Sequence, residues 1–375
     1  LDRAHTRRMP ASLLSLAFSS PGVLSRLSPP IPLLSFLRVT GYRLRPPQPV
    51  PHVPAVTRAS AAVLARGQAE PRQAATLLCE LRAGDCPTIV LGGFVPDSTE
   101  QAFLLRGMLL RHGSVYYLNY PRRGFSLPML FAQIDDLVDE LALRGQRPVM
   151  LSVSFGGGVL VEWLRRRRDS GAPAPVAGAV LVSPVACPED IVDPSAPRQT
   201  TLLGRALKPF GSPGGADLTA IEKARAIFRK MFEAGANNRA ALAGLMSRSE
   251  TRRVRDAVAS ALGGIDAAGA NERVRALAEL AHPRDWSPRG APICNAPVLI
   301  LFAEREDSVI TATSPTRRAL EGGHRALFPG SECRVVTGGG NPVQHASLIF
   351  HYYQFHPHFT GFYRRLKLSK LVLAA

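Results

Sequence analysis

Residues 148–161, Pro-Val-Met-Leu-Ser-Val-Ser-Phe-Gly-Gly-Gly-Val-Leu-Val, compress an apolar strand, a serine-glycine bend and an apolar helix into one short run. A chain that must turn this sharply between two buried elements is restricted to a sheet layered with helices, because each strand has to be followed by a helix that packs back onto it. The bend falls at Ser154. There its hydroxyl is pushed out at the strand end, and the first N–H groups of the helix point at whatever binds, which suits attack on an acyl group. So tight a bend tolerates only small residues two positions to either side, and these are Ser152 and Gly156. The pattern is thus S-x-S-x-G where G-x-S-x-G is usual. A Gly-rich helix start or a phosphate-binding turn is the competing interpretation. Neither G-x-x-x-x-G-K-[ST] nor a G-x-G-x-x-G after the strand is present to support the second.

The same alternation extends along the chain. Thr88–Leu91 and Ser114–Leu118 read as buried strands. A helix follows with Ser126 as its cap, apolar residues from Leu127 to Leu141 on one face, Asp135, Asp136, Asp139 and Glu140 on the other, and Gly145 as its stop. Ala179–Val182, Val298–Phe302 and Cys333–Val336 read as further strands. This order predicts an α/β fold, a mostly parallel sheet with helices on both faces. Between Cys187 and Arg289 the alternation pauses, and helical patterns such as Ile221, Ala224, Ile227, Phe228 and Met231 take over. We therefore expect a core from residues 71–187 and 290–375, with a helical cap at 188–289 over the strand ends.

The first 70 or so residues differ, with nine arginines between Arg3 and Arg66 and a proline-dense stretch from Ser28 to Pro54. Such a composition predicts a loosely ordered leader, residues 1–70, that touches the rest of the chain or a membrane surface. Arg7 and Arg8 ahead of Leu13–Phe18 resemble the start of a secretion signal, but Pro21 interrupts the apolar stretch and no clear cleavage site follows.

A formal charge of +17 raises the question of nucleic acid. Arginine supplies nearly all of it, scattered through an Ala-, Gly- and Pro-rich chain, and no recognition helix, zinc spacing or aromatic platform accompanies it, so no nucleic-acid partner is expected. Arg165–Arg168 reads as a solvated helix end that complements the dipole. The basic leader and the tail Arg364–Lys370 leave peripheral contact with anionic lipid as a further mode. Five cysteines without a C-x-x-C pair suit a reducing cytoplasm, and no metal or other cofactor is implied. His351, His356 and His358 fall in an aromatic segment that reads as helix packing interrupted by Pro357, and His324 in a polar loop facing water. No apolar stretch is long enough to span a bilayer.

A serine needs a base, and the base an acid, both from strand ends on one edge. The loop Ala303-Glu304-Arg305-Glu306-Asp307-Ser308 supplies carboxylates, and Thr337–His345 is a Gly-rich loop that delivers a histidine. With these residues the region 86–366 resembles a serine hydrolase of the α/β-hydrolase fold. Gly92-Gly93-Phe94 stands where that family often has His-Gly-x, Asn119–Ser126 where it often has D-x-P-G-x-G-x-S, and the order Ser, acid, His matches. The resemblance implies Ser154 as nucleophile, His345 as base, and the backbone N–H groups of Phe94 and Phe155 as the oxyanion hole. For the acid, the pattern Asp307-x-apolar-apolar favours Asp307, with Glu306 as the alternative. The expected substrate is a small or medium ester or thioester. Acyl transfer by the same triad, or a binding protein without catalysis, are the alternative functions.

Overall fold

The computed structural model describes residues 49–211, 217–236, 245–287, 290–338 and 340–374, for residue 211 and residues 369–374 as backbone only. The described strands are β1 (Val50–Pro51), β2 (Thr76–Glu80), β3 (Thr88–Leu91), β4 (Val115–Asn119), β5 (Val149–Val153), β6 (Gly178–Val182), β7 (Val298–Ala303) and β8 (Ser331–Val336). They form one sheet in the order β1-β2-β4-β3-β5-β6-β7-β8. From β4 to β8 every neighbouring pair is parallel, whereas β2 runs antiparallel to both β1 and β4.

The longer helices are α1 (Arg58–Ala65), α2 (Leu127–Leu143), α3 (Phe155–Asp169), α4 (Leu202–Leu207), α5 (Leu218–Ala236), α6 (Arg248–Gly264), α7 (Ala267–Glu279), α8 (Pro315–Leu327) and α9 (Tyr352–Ala374). One apolar cluster fills the side of the sheet covered by α2, α3 and α8, with Ile134, Leu137, Leu160 and Leu320 at its centre. A second fills the opposite side, where Phe355, Phe359 and Tyr363 of α9 pack on Val90, Leu151 and Val180. Burial on both faces explains why β3, β5, β6 and β7 are uninterrupted apolar runs rather than alternating ones. The chain thus has the predicted α/β architecture, and α4 to α7 form the helical insertion between β6 and β7.

Several expectations need correction. The leader was expected to extend to residue 70, but β1 pairs with β2 and α1 packs on α2, so residues 49–70 belong to the sheet unit. Residues 1–48, including the signal-like segment, lie outside the described residues. Asp136 and Glu140 do not lie on an exposed face of α2. Asp136 accepts hydrogen bonds from the N–H groups of Ala59 (2.7 Å) and Ser60 (2.9 Å), and Glu140 accepts from Ala55 N–H (2.9 Å). A carboxylate at the start of α1 satisfies donors that a helix leaves unpaired, which offsets its burial. The run Arg165–Arg168 is not simply solvated. Arg165 and Arg166 pair with the buried Glu162, and Arg168 donates to the Trp286 carbonyl at 2.9 Å. Pro357 does not interrupt its helix, since α9 runs through it. His324 lies on α8 rather than in a loop, 2.6 Å from the Ser331 hydroxyl. In the basic tail, Arg365 pairs with Glu332 at 3.1 Å. Among the described residues no helix is long and apolar enough to cross a membrane.

Candidate active site

Strands β3, β5, β6, β7 and β8 all end on one edge, where a parallel sheet gathers its loops. At the end of β5 the chain reverses within one residue. Ser154 takes φ 52° and ψ −119° before α3 begins at Phe155. The bend is held by Ser154 N–H donating to Val182 C=O (2.8 Å), and by Val185 and Gly157 N–H donating to Ser154 C=O (3.0 and 2.8 Å). Gly156 is required because a Cβ there would sit 2.4 Å from the Gly92 carbonyl oxygen and 2.6 Å from that of Leu91. The serine at 152 is accommodated for a different reason. Its fully buried hydroxyl donates to Val180 C=O at 3.0 Å, so the missing glycine costs no unpaired polar atom.

Ser154 Oγ lies 2.9 Å from His345 Nε2, across 191 residues of sequence. The other ring nitrogen, Nδ1, contacts Glu306 Oε2. A carboxylate can only accept, so Nδ1 carries the proton and Nε2 is left free to accept from the serine hydroxyl. Glu306 is 3% exposed, and its Oε1 accepts from Ala303 N–H (2.6 Å) and the Ser183 hydroxyl (2.7 Å). Burial by itself pushes this carboxyl up. The charge and hydrogen bond of His345, with the bonds from Ala303 and Ser183, overcome that effect and hold the group below the usual carboxylate range.

Asp307, the acid favoured by the sequence pattern, is not the residue that meets His345. Its side chain is 75% exposed, with Arg305 at 4.0 Å. The difference arises in the turn after β7. Val309 and Ile310 N–H both donate to the Glu306 carbonyl (2.9 and 2.7 Å), and Arg305 N–H donates to Val343 C=O (2.9 Å). Together these fix the loop so that residue 306 faces inward and residue 307 outward. The same Arg305–Gln344 bridge joins the acid loop to the histidine loop.

Ser183 was not identified from the sequence. It accepts Ala346 N–H (3.2 Å) while donating to Glu306, and so links the loops after β6, β7 and β8. A polar residue directly after the buried run Ala179–Val182 was the available signal. Among the described residues the non-glycine positions with positive φ are Ser154, Ser183 and Ala346, at 52°, 46° and 51°. Each costs on the order of 1–3 kcal/mol, and such strain gathers where surrounding structure imposes a functional geometry. All three belong to this one hydrogen-bonded network.

Phe155 occupies the first helical position of α3, so its N–H has no acceptor within the helix. The Gly92–Phe94 loop lies against the bend, since a Cβ on Gly93 would come within 3.2 Å of Ser154 Cβ, and the Phe94 and Phe155 rings stack at 4.5 Å. Both candidate oxyanion donors are therefore carried by segments that adjoin Ser154. Above them a cavity of about 370 Å³ opens between sheet edge and cap. Leu203, Phe228, Met231 and Leu262 of the cap line it together with Ser154 and His345.

One cluster among the described residues could ligate a cation. Cys187, Glu189 and His282 hold ligand atoms within 4.8 Å of one another, away from the cavity lining. Burial strongly raises the Cys187 thiol, which disfavours the thiolate a metal would need.

The chain resembles solved structures that share one fold. It aligns with a thermophilic esterase from Thermogutta terrifontis at a TM-score of 0.53 and 17% identity, covering 85% of this chain and 99% of that one. A putative aryl esterase from Burkholderia cenocepacia aligns at 0.51 and 17%, covering 77% and 94%. Potato epoxide hydrolase I aligns at 0.50 and 14%, covering 80% and 98%. No protein-family model matches the sequence. No curated protein sequence matches it either. With the sheet order and the strand-bend-helix at Ser154, these likenesses establish that the chain has the α/β-hydrolase fold.

Proposed function

We propose that the protein is a serine hydrolase that cleaves a carboxylic ester or thioester through an acyl-enzyme intermediate. The observation that carries this reading is the continuous hydrogen-bonded line from Ser154 Oγ through His345 to the buried Glu306. Neighbours of this fold include both esterases and an epoxide hydrolase, so the fold does not select the reaction. The serine does. As Ser154 Oγ attacks the substrate carbonyl, its proton passes to His345 Nε2, and Glu306 holds the resulting imidazolium. The N–H groups of Phe155 and Phe94 receive the charge that develops on the carbonyl oxygen. Collapse of the tetrahedral adduct expels the alcohol or thiol with the His345 proton. Water, activated by the same imidazole, then releases the acid and restores Ser154.

The apolar cap lining suits an acyl chain of a few carbons. Across 4-nitrophenyl esters from acetyl to butyryl to hexanoyl, kcat/KM is expected to climb by up to about fourfold per methylene, the rate equivalent of about 0.8 kcal/mol for each buried CH₂. A flat profile would place the acyl chain outside the cavity. The reading itself is tested with a fluorophosphonate probe followed by peptide mapping. Stoichiometric labelling at Ser154 supports it, and a silent Ser154 in folded protein sinks it.

The lowered carboxyl of Glu306 has a consequence for stability. A carboxyl depressed by folding contributes stability that is complete above its unfolded value, near 4.5, and is lost as pH falls through the lower folded value. The advantage of the native protein over Glu306→Gln in urea midpoint is therefore expected to shrink as pH falls below about 4.5.

A further inference from the structure

Arg273 lies on α7 of the cap, yet only 3% of it is exposed. Its guanidinium is spent on backbone. Nη1 donates to the Phe94 carbonyl at 2.8 Å and Nη2 to the Pro121 carbonyl at 2.7 Å. Burial, with Arg122 nearby, lowers its pKa to about 10, so the group stays cationic at neutral pH. Keeping a charge in such a place is costly unless its contacts matter.

The Phe94 carbonyl belongs to the peptide that follows the candidate oxyanion donor. The peptide that precedes the donor is held just as firmly. Its carbonyl, on Gly92, accepts from Tyr120 O–H at 2.8 Å, and its N–H, on Gly93, donates to Gln101 Oε1 at 3.0 Å. Between these two pinned planes lies the peptide that carries Phe94 N–H. With its neighbours fixed, that peptide retains little rotation, since only φ and ψ are soft. Arg273 bears on both pins: it holds the later one directly, and through Pro121 it fixes the segment that carries Tyr120, whose ring centroid is 5.8 Å from the guanidinium carbon. The preceding cap residue, Glu272, accepts Phe125 N–H from the same segment.

We propose that Arg273 is a positioning residue for the oxyanion hole, through which the cap sets the reactivity of Ser154 as well as the choice of substrate. The inference rests on the serine-hydrolase reading. Preorganised donors act because they are aimed before charge develops, so a donor that loses its aim loses transition-state binding without loss of substrate binding.

The test compares wild type with Arg273→Met on 4-nitrophenyl butyrate, and measures inhibition by a trifluoromethyl ketone, whose adduct with Ser154 places an oxyanion in the hole, beside that by the matching methyl ketone. The expected result is a kcat lower by about 10- to 100-fold with KM within about threefold, below the about 10²–10³ of outright donor removal. The trifluoromethyl ketone should weaken by the same factor as kcat and the methyl ketone should not. A kcat within about twofold of wild type, or equal weakening of both ketones, overturns the proposal. Should Arg273→Met lack a cooperative thermal transition, Tyr120→Phe decides, because it releases only the Gly92 carbonyl. The same selective loss of kcat supports the pinning, and unchanged kinetics reject it. An active wild type beside an equally active Arg273→Met defeats this inference alone. A wild type that neither turns over ester nor labels with fluorophosphonate defeats the hydrolase reading and this inference with it.

Discussion

Ser154→Ala is expected to lower kcat on 4-nitrophenyl butyrate by about 10⁶, with KM and the thermal midpoint little changed. The size of the loss follows from the removal of the atom proposed to form the acyl bond. What remains is the weak catalysis of a correctly shaped pocket with its oxyanion donors, acting on water. The fold should survive, because the bend at position 154 is held by backbone bonds to Val182, Val185 and Gly157 that do not involve the hydroxyl. Circular dichroism and thermal melting check the fold, and steady-state kinetics check the rate. Retention of more than about a hundredth of wild-type kcat in purified variant would reject Ser154 as nucleophile.

Glu306→Gln is expected to cost about 10⁴ in kcat, whereas Asp307→Asn should stay within about twofold of wild type. The loss at 306 can be derived atom by atom. Oε1 of Glu306 accepts from Ala303 N–H and Ser183 O–H, so a glutamine must place its oxygen there. Its NH₂ then faces His345 Nδ1, which is forced to accept. The ring proton moves to Nε2, and an Nε2–H cannot take the proton of Ser154. At position 307 the carboxylate is in solvent, and its removal changes no contact in the line. Kinetics of the two variants side by side decide which carboxylate serves. A larger loss in Asp307→Asn than in Glu306→Gln would overturn the assignment.

The elements that sequence revealed most fully are those whose constraint is local. The β3 and β5 segments, buried on both faces, had to be continuous apolar runs, and α2 had to begin at a cap, where the Ser126 hydroxyl accepts Met129 N–H at 3.3 Å. Strand β2 lacked any such signature, because Thr76–Glu80 mixes exposed and buried positions and its partners β1 and β4 lie far from it along the chain. The leader was misjudged for a related reason. Thr57–Ser60 looks unstructured until the carboxylate of Asp136 is brought to its N–H groups.

At the site the same division holds. A serine flanked by Ser152 and Gly156 at the end of a buried strand already specified a sharp bend, because no bulky side chain fits there. Ser154, a carboxylate loop after β7 and His345 after β8 followed from chain order, and parallel crossovers bring such loops to one edge. Which of two adjacent carboxylates turns inward did not follow, since one residue of phase in the turn reverses it. That phase is fixed by bonds from Ile310 and Val309 to residue 306 and from residue 305 to Val343. Arg273 was equally hidden, being one arginine among many on an amphipathic helix until the cap folds it onto the carbonyls of Phe94 and Pro121. Residue size and hydrophobic period act between near neighbours and so are written in the sequence. The aim of a buried polar side chain depends on partners tens to hundreds of residues away, and only the packed tertiary structure decides it.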